Sequence, residues 1–550
     1  MEIHPQPPRG ALPPTRKLSG PGGALLFVYP LSRPAMREAC GAFVHGSKSV
    51  LLLPPWGKVG KGVKQHFVFI SILLSIALSS CTGNRTDIEV VDSYPDISPD
   101  YVNVTIPPNI APLNFMMKGA EKTDVIIEGK GGTITAGSSG NKAVIPMGKW
   151  RTILENSKGD SLNVTVSALE GGIWKEYRPF KWYVAADEID PFLSYRLIEP
   201  GYEVWSRISI SQRDLTNFRE MKIVDNNLVD DGCVNCHIFS QQDPSRSFFH
   251  LRHAGGGTMI QQDGQFRKIN TSTDSTISAG VYGSWHPSGR YLAFSTNVII
   301  PEFHSIRNKR LEVYDTISDL IVLDLESNEV ITSRVIAEKS SFETFPVFSG
   351  DGTKLYFCSA HALKMPADYD KARYSLCSVG FDPATGTFGS IVDTLISAER
   401  SRRTVSHPKP SPDGMNIMFT SFDYGNFPVW HEEADLHLLD LATGAIDTLP
   451  DVNSRRSDSY HSWSSEGRWF VFASKRVDNM YGRPYFAYIG SDGWASKPFV
   501  LPQKDPAFYD FFLKSYNIPE LSKGPVPFNA RDVESAFRRL EAEKVSFVRK

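Results

Sequence analysis

Apolar and polar residues alternate with a period of two along much of the chain, the pattern of strands with one buried face. Leu162, Val164 and Val166 fall on one side and Asn163 and Thr165 on the other; Phe180, Trp182 and Val184 alternate with Lys181 and Tyr183. Further short strands are predicted over 124–128, 132–136 and 142–147, divided by glycine-rich turns at 129–132 and 138–140. Five or more short antiparallel strands in about a hundred residues predict an immunoglobulin-like β-sandwich over 109–215. Its subtype stays open, because no Cys…Trp…Cys spacing occurs.

From residue 257 the alternation becomes a repeat. The copies open with Trp285-His286-Pro287-Ser288-Gly289-Arg290, Phe348-Ser349-Gly350-Asp351-Gly352-Thr353, Pro410-Ser411-Pro412-Asp413-Gly414-Met415 and Trp463-Ser464-Ser465-Glu466-Gly467-Arg468. An apolar return strand follows each, and the aligned glycines are 63, 62 and 53 residues apart. Each copy reads as a strand, a tight turn whose glycine takes positive φ, and a strand back. In three copies a second strand pair follows, as at 320–325 and 436–441, and four strands make a propeller blade. This core resembles the TolB-type, WD40-like propeller repeat, which implies a β-propeller over 257–502. Four blades are distinct. A ring of about six requires two degenerate ones, expected around 257–270 and within the long gaps. His286, His407 and His461 lie near the turns at unequal offsets from the glycines and read as turn chemistry, as do Asp351, Asp413 and Glu466.

The remaining segment, 503–550, is predicted to be a short helical extension. Asp505-Pro506 opens one helix to about Tyr516. Asn529 caps another in which Val533, Ala536, Phe537 and Leu540 form an apolar stripe expected to dock on the body. The fold class expected is mainly β: a sandwich, a propeller and short C-terminal helices.

Composition narrows the function more than the fold. Fifty-nine basic against 61 acidic residues leave no electrostatic footprint for nucleic acid, so no nucleic-acid partner is expected. No G-x-S-x-G elbow, P-loop or H-E-x-x-H occurs, and an enzymatic role is not indicated. Residues 1–62 hold ten prolines and only two acidic residues. Lys58, Lys61 and Lys64 then precede the apolar run 67–78 and Leu78-Ser79-Ser80-Cys81, a basic, apolar and small-residue order that describes a secretory signal. That ending resembles the lipobox of bacterial lipoproteins, which implies lipid attachment at Cys81, a leader over 1–80 with a true start near Val63, and a polar tether over 81–108. The expected location is extracytoplasmic, in the periplasm and anchored to a membrane, with the outer membrane favoured because Thr82 and not Asp follows the cysteine.

One motif carries chemistry. Cys233-Val234-Asn235-Cys236-His237 is a C-x-x-C-H, expected by chance roughly 0.0015 times in a chain of this composition. Two thiols three positions apart can link the vinyl groups of one haem while His237 ligates the iron, so a haem c is predicted on Cys233, Cys236 and His237 within a linker over 216–256. His250, His253 and Met259 are the candidate sixth ligands. A redox dithiol, a zinc site with two further ligands and a plain disulfide remain alternatives. Cys358 and Cys377 in the repeats read either as a pair or as two core thiols.

The whole resembles a group of bacterial extracytoplasmic lipoproteins with a TolB-like propeller behind a cytochrome c-type segment. That implies a membrane-anchored ring with one haem for electron transfer or ligand sensing, docking a protein or glycan partner on the propeller face. The alternative is a non-redox scaffold for protein, peptide or glycan, in which the cysteine pair is structural.

Overall fold

A computed structural model describes residues 88–137, 140–199, 207–252, 255–306 and 309–550, without the side chain of Cys236. The leader, the lipobox and Cys81 lie outside the described residues, as does His253.

The N-terminal β-sandwich pairs a seven-stranded sheet with a three-stranded one built from Ile97–Ser98, Phe115–Met117 and Lys142–Ala143. The strands read from alternation appear as Lys122–Gly129, Gly132–Gly137, Ser161–Glu170 and Phe180–Val184. The expected tether is folded instead: Ile88–Val91 and Thr105–Ile106 join the large sheet as parallel strands. Ile97, Tyr101, Val104 and Ile106 from this stretch are buried, apolar surface that a polar tether would have left in water. A helix the alternation does not show, Met147–Asn156, sets Trp150 edge-on to Trp182 with centroids 5.5 Å apart.

Behind the sandwich stand six four-stranded blades. Four are the predicted ones, with inner strands Val281–Trp285, Ser341–Phe348, Thr404–Pro410 and Asp458–Trp463. Their turn glycines Gly289, Gly352, Gly414 and Gly467 take φ of 74°, 74°, 71° and 69°. The other two correct the predicted boundaries, because the propeller begins near residue 192 and not at 257. Phe192–Ile198, Ser209–Asp214 and Glu220–Asp225 form the outer part of blade 1, and its inner strand is Ser515–Ser522 from the far end of the chain. Blade 2 runs Cys233–Ser240, Asp243–Arg252, Gly257–Gln262 and Gln265–Asn270. The segment 216–256 is therefore blade and not linker, since its alternate apolar residues Val234, Phe249 and Leu251 need a sheet face to bury them. The six inner strands pack side by side in a closed ring.

The C-terminal extension is helical only in part. The helix expected to reach Tyr516 is the single turn Phe508–Phe511, and the strand after it closes blade 1. The second helix, Ala530–Arg539, has the Asn529 cap and docks Val533, Ala536 and Phe537 on blades 1 and 2. Beyond it, Glu543–Lys544 and Ser546–Arg549 add parallel edge strands to blades 2 and 3. The fold class expected from the sequence, a sandwich followed by a TolB-like propeller of six blades with short C-terminal helices, is the one observed.

Sandwich and ring meet on blades 1 and 6. Asp190 accepts from the Ser465 amide and hydroxyl, each at 2.7 Å, and Trp469 Nε1 donates to the Asp187 carbonyl at 3.0 Å. These contacts hold the turn end of the inner strand and leave the opposite mouth of the ring uncovered by the sandwich.

Candidate functional site

At that mouth the six inner strands share a local feature. In each, two residues face one on the neighbouring strand, a β-bulge. The bulged pairs are Ile518-Pro519, Cys236-His237, Tyr282-Gly283, Phe345-Pro346, His407-Pro408 and Tyr460-His461. The first residue is left-handed in five blades, with φ of 49° at Ile518, 48° at Tyr282, 52° at Phe345, 52° at His407 and 53° at Tyr460. Such a conformation costs a non-glycine residue about 1 kcal/mol or more. In those five blades the left-handed residue lines the opening on the axis.

Four of these residues form a continuous arc. Ring centroids lie 4.7 Å apart for Tyr282 and Phe345, 4.1 Å for Phe345 and His407, and 4.8 Å for His407 and Tyr460. They line an axial cavity of about 330 Å³, at the small end of the range for ligand pockets. The long strands Tyr291–Phe303 and Leu311–Asp324 of blade 3 overhang it, adding Ile299, Pro301, Phe303, Leu311 and Val313 to the lining. The overhang is anchored by Asp315, which accepts from Asn297 at 2.7 Å, Asn426 at 2.6 Å and Tyr374 at 3.1 Å. Burial raises Asp315 to about 6 despite these bonds. A second anchor joins Glu312 to His431 at 3.2 Å. Burial alone would lower the His431 pKa, and the Glu312 and Glu433 carboxylates overcome it and raise it.

The charge on the lining is one-sided. Arg196, Arg252, Lys409 and Lys475 face the cavity, against Glu199 alone among the described acidic residues. Lys475 is 3% exposed, its Nζ lies 3.0 Å from the Trp430 ring centroid, and it has no hydrogen-bond partner among the described residues. Burial pushes its pKa well below the usual lysine value. Arg196 donates to Asn235 and, at 3.1 Å, to Asn517, both neutral.

Cys233, Cys236 and His237 share one strand, but Cys233 and His237 do not face one opening. Cys233, 7% exposed, sits at the cavity edge in a cluster with Val229, Val234, Phe249, Met259 and the docked helix. His237 is 4% exposed, packs edge-on to Phe239 and does not line the cavity. Burial lowers its pKa to about 3 against the opposing effect of a backbone hydrogen bond to Ser194. His250, bonded to Thr258 Oγ1 at 3.0 Å, faces Phe248 and Phe294 on the blade 3 side, while Met259 is enclosed in the cluster around Cys233. A porphyrin needs an open slot against its imidazole. With this strand in its place in the ring, the described residues do not fit one. No group of three or more His, Cys, Asp or Glu side chains among the described residues is placed to hold a metal ion.

The other cysteines resolve simply. Cys358 and Cys377 are buried free thiols on adjacent strands, in register with Leu376 and Phe357, so they point into two different hydrophobic clusters. His286 is turn chemistry, with Nδ1 on Ser288 at 2.8 Å and Nε2 on the Gly352 carbonyl of the next blade at 3.0 Å.

Tyr282, Phe345, Tyr460 and Lys475 were not legible as a site. A signal existed: Tyr282, Phe345, His407 and Tyr460 each stand seven residues before their turn glycine. The unequal offsets of the three histidines arise because His407 is a bulge residue, His461 follows one and His286 belongs to a turn.

No protein-family model matches the chain, and no curated protein is similar to it. Among solved structures it is similar to TolB from Acinetobacter baumannii, with a TM-score of 0.37 and 12% identity over 65% of this chain and 79% of that one. A hypothetical selenium-binding protein from Sulfolobus tokodaii gives 0.38 and 11% over 77% and 99%. A puromycin-hydrolyzing peptidase of Mycobacterium tuberculosis gives 0.33 and 12% over 76% and 57%.

Proposed function

We propose that this protein is a non-redox binding scaffold, lipid-anchored at Cys81 on the extracytoplasmic side of a membrane, whose axial cavity takes up a ligand. The observation that carries the reading is the repeated bulge, which spends backbone strain on five blades to aim side chains at one opening. In this reading the C-x-x-C-H segment is inner wall: positions 236 and 237 occupy the bulge that every other blade also has. The uncharged fluorophore N-phenyl-1-naphthylamine tests it. One equivalent is expected to bind and brighten, and Phe345→Ala and Tyr460→Ala should each weaken binding at least tenfold. No saturable binding, or binding indifferent to both variants, would overturn the reading. The bound partner on the propeller face, protein or glycan, belongs to the same proposal.

A second reading, one covalent haem on Cys233, Cys236 and His237 for electron transfer or ligand sensing, is favoured by the C-x-x-C-H spacing of these three residues. It requires the strand Cys233–Ser240 to leave the ring. Protein made beside a haem-attachment system and run on a denaturing gel should stain for haem if this holds, and Cys233→Ser should weaken the stain. Colourless protein refutes it.

A further inference from the structure

The cavity joins three properties that together select a ligand class. Its roof is aliphatic and aromatic, formed by Ile299, Phe303, Leu311 and Val313 of the blade 3 overhang. Its lining charge is cationic, with four basic residues against one described carboxylate. Lys475 is almost wholly buried and faces the cavity with its amine lacking a hydrogen-bond partner among the described residues.

Burial outweighs the attraction of Asp478 and disfavours the charged form of Lys475, and a carboxylate that reaches the amine would stabilise its ammonium form. Trp430 supplies a π face for Lys475 but no negative charge. We infer that the axial cavity binds small single-tailed carboxylates, with the carboxylate against Lys475, the field of Arg196 and Lys409 adding to its hold, and the apolar tail under the overhang. The inference rests on the binding reading above and names its ligand class. The size argues for a small molecule, because about 330 Å³ has room for a short tail and head but not for a folded partner.

The test is displacement of N-phenyl-1-naphthylamine from the full chain by decanoate, decanol and decylamine, each below its micellar concentration. Decanoate is expected to displace at least tenfold more tightly than decanol, as a charge-assisted contact of about 1.5–3 kcal/mol requires, with decylamine weakest. Lys475→Met should remove most of the difference between decanoate and decanol, and Arg196→Gln should reduce it less. These comparisons in the unmodified protein stand even where a variant fails to fold. Equal displacement by decanoate and decanol, or none by either while the fluorophore still binds, overturns the ligand class and leaves the binding reading intact. Failure of the fluorophore itself to bind removes both. An N-acetylated apolar peptide with a free C-terminus that outcompetes decanoate would also overturn the small-molecule assignment.

Discussion

The six inner strands end in two different ways. At the turn end, polar groups are closed on one another: Ser349 and Thr353 donate to Asp351, Ser411 donates to Asp413, and His286 bridges to Gly352. At the mouth end, non-glycine residues sit in left-handed backbone, and Lys475 Nζ, His461 Nδ1 and one oxygen of Glu343 lack partners among the described residues. One end is built for stability. The other tolerates strain and unpaired polarity, as binding sites do.

The sharpest way to break this comparison is to remove the strand that both ends share. A chain stopped at Lys514 leaves blade 1 without an inner strand, and it is expected to lose its cooperative thermal transition in near-UV circular dichroism. Retention of that transition would show that the ring does not depend on Ser515–Ser522.

Next come the turn glycines. A Cβ on Gly352 would lie 2.2 Å from His286 Nε2, whereas one on Gly414 meets nothing within 4 Å, at almost the same φ. Gly352→Ala should therefore cost about 3 kcal/mol and Gly414→Ala about 1 kcal/mol in urea denaturation. Equal losses would mean that the His286 bridge contributes little.

At the mouth the sign should reverse. Lys475→Met replaces a buried unpaired amine by an apolar side chain of similar length, and the expected result is a gain of about 1–2 kcal/mol in the absence of ligand. A loss would place Lys475 among the stabilising residues and erase the contrast between the ends.

A further contrast is in pH dependence. Burial lowers His461 to about 3, so its contribution is present above pH 6.5 and is lost as pH falls toward 3. Burial raises Glu343 to about 7, so its contribution is present below pH 4.5 and is lost as pH rises through 7. His461→Gln should flatten the acid limb of the stability profile and Glu343→Gln the neutral limb. An unchanged profile in both variants would show that these groups titrate normally in the fold.

How much of this was legible depended on glycine. Blades 3 to 6 announce themselves because Gly289, Gly352, Gly414 and Gly467 mark a turn that needs positive φ. Blade 2 makes its first turn with Gln241 and Gln242 at φ of 49° and 59°, so the punctuation that sequence reading relies on is missing. Blade 1 was hidden for a different reason, since its inner strand is remote in sequence and no local pattern reports such pairing. The C-x-x-C-H motif stood out by its spacing. Its position on an inner strand, which changes what that spacing means, could not be read locally.

The closing strand also bears on how the molecule comes to exist. Phe192 pairs with Ser522, 330 positions later, so an emerging nascent chain can complete no ring until the strand Ser515–Ser522 has been made. Pairing at that separation is slow, so ring closure is a late step in folding and the open blades keep their edges exposed until it happens.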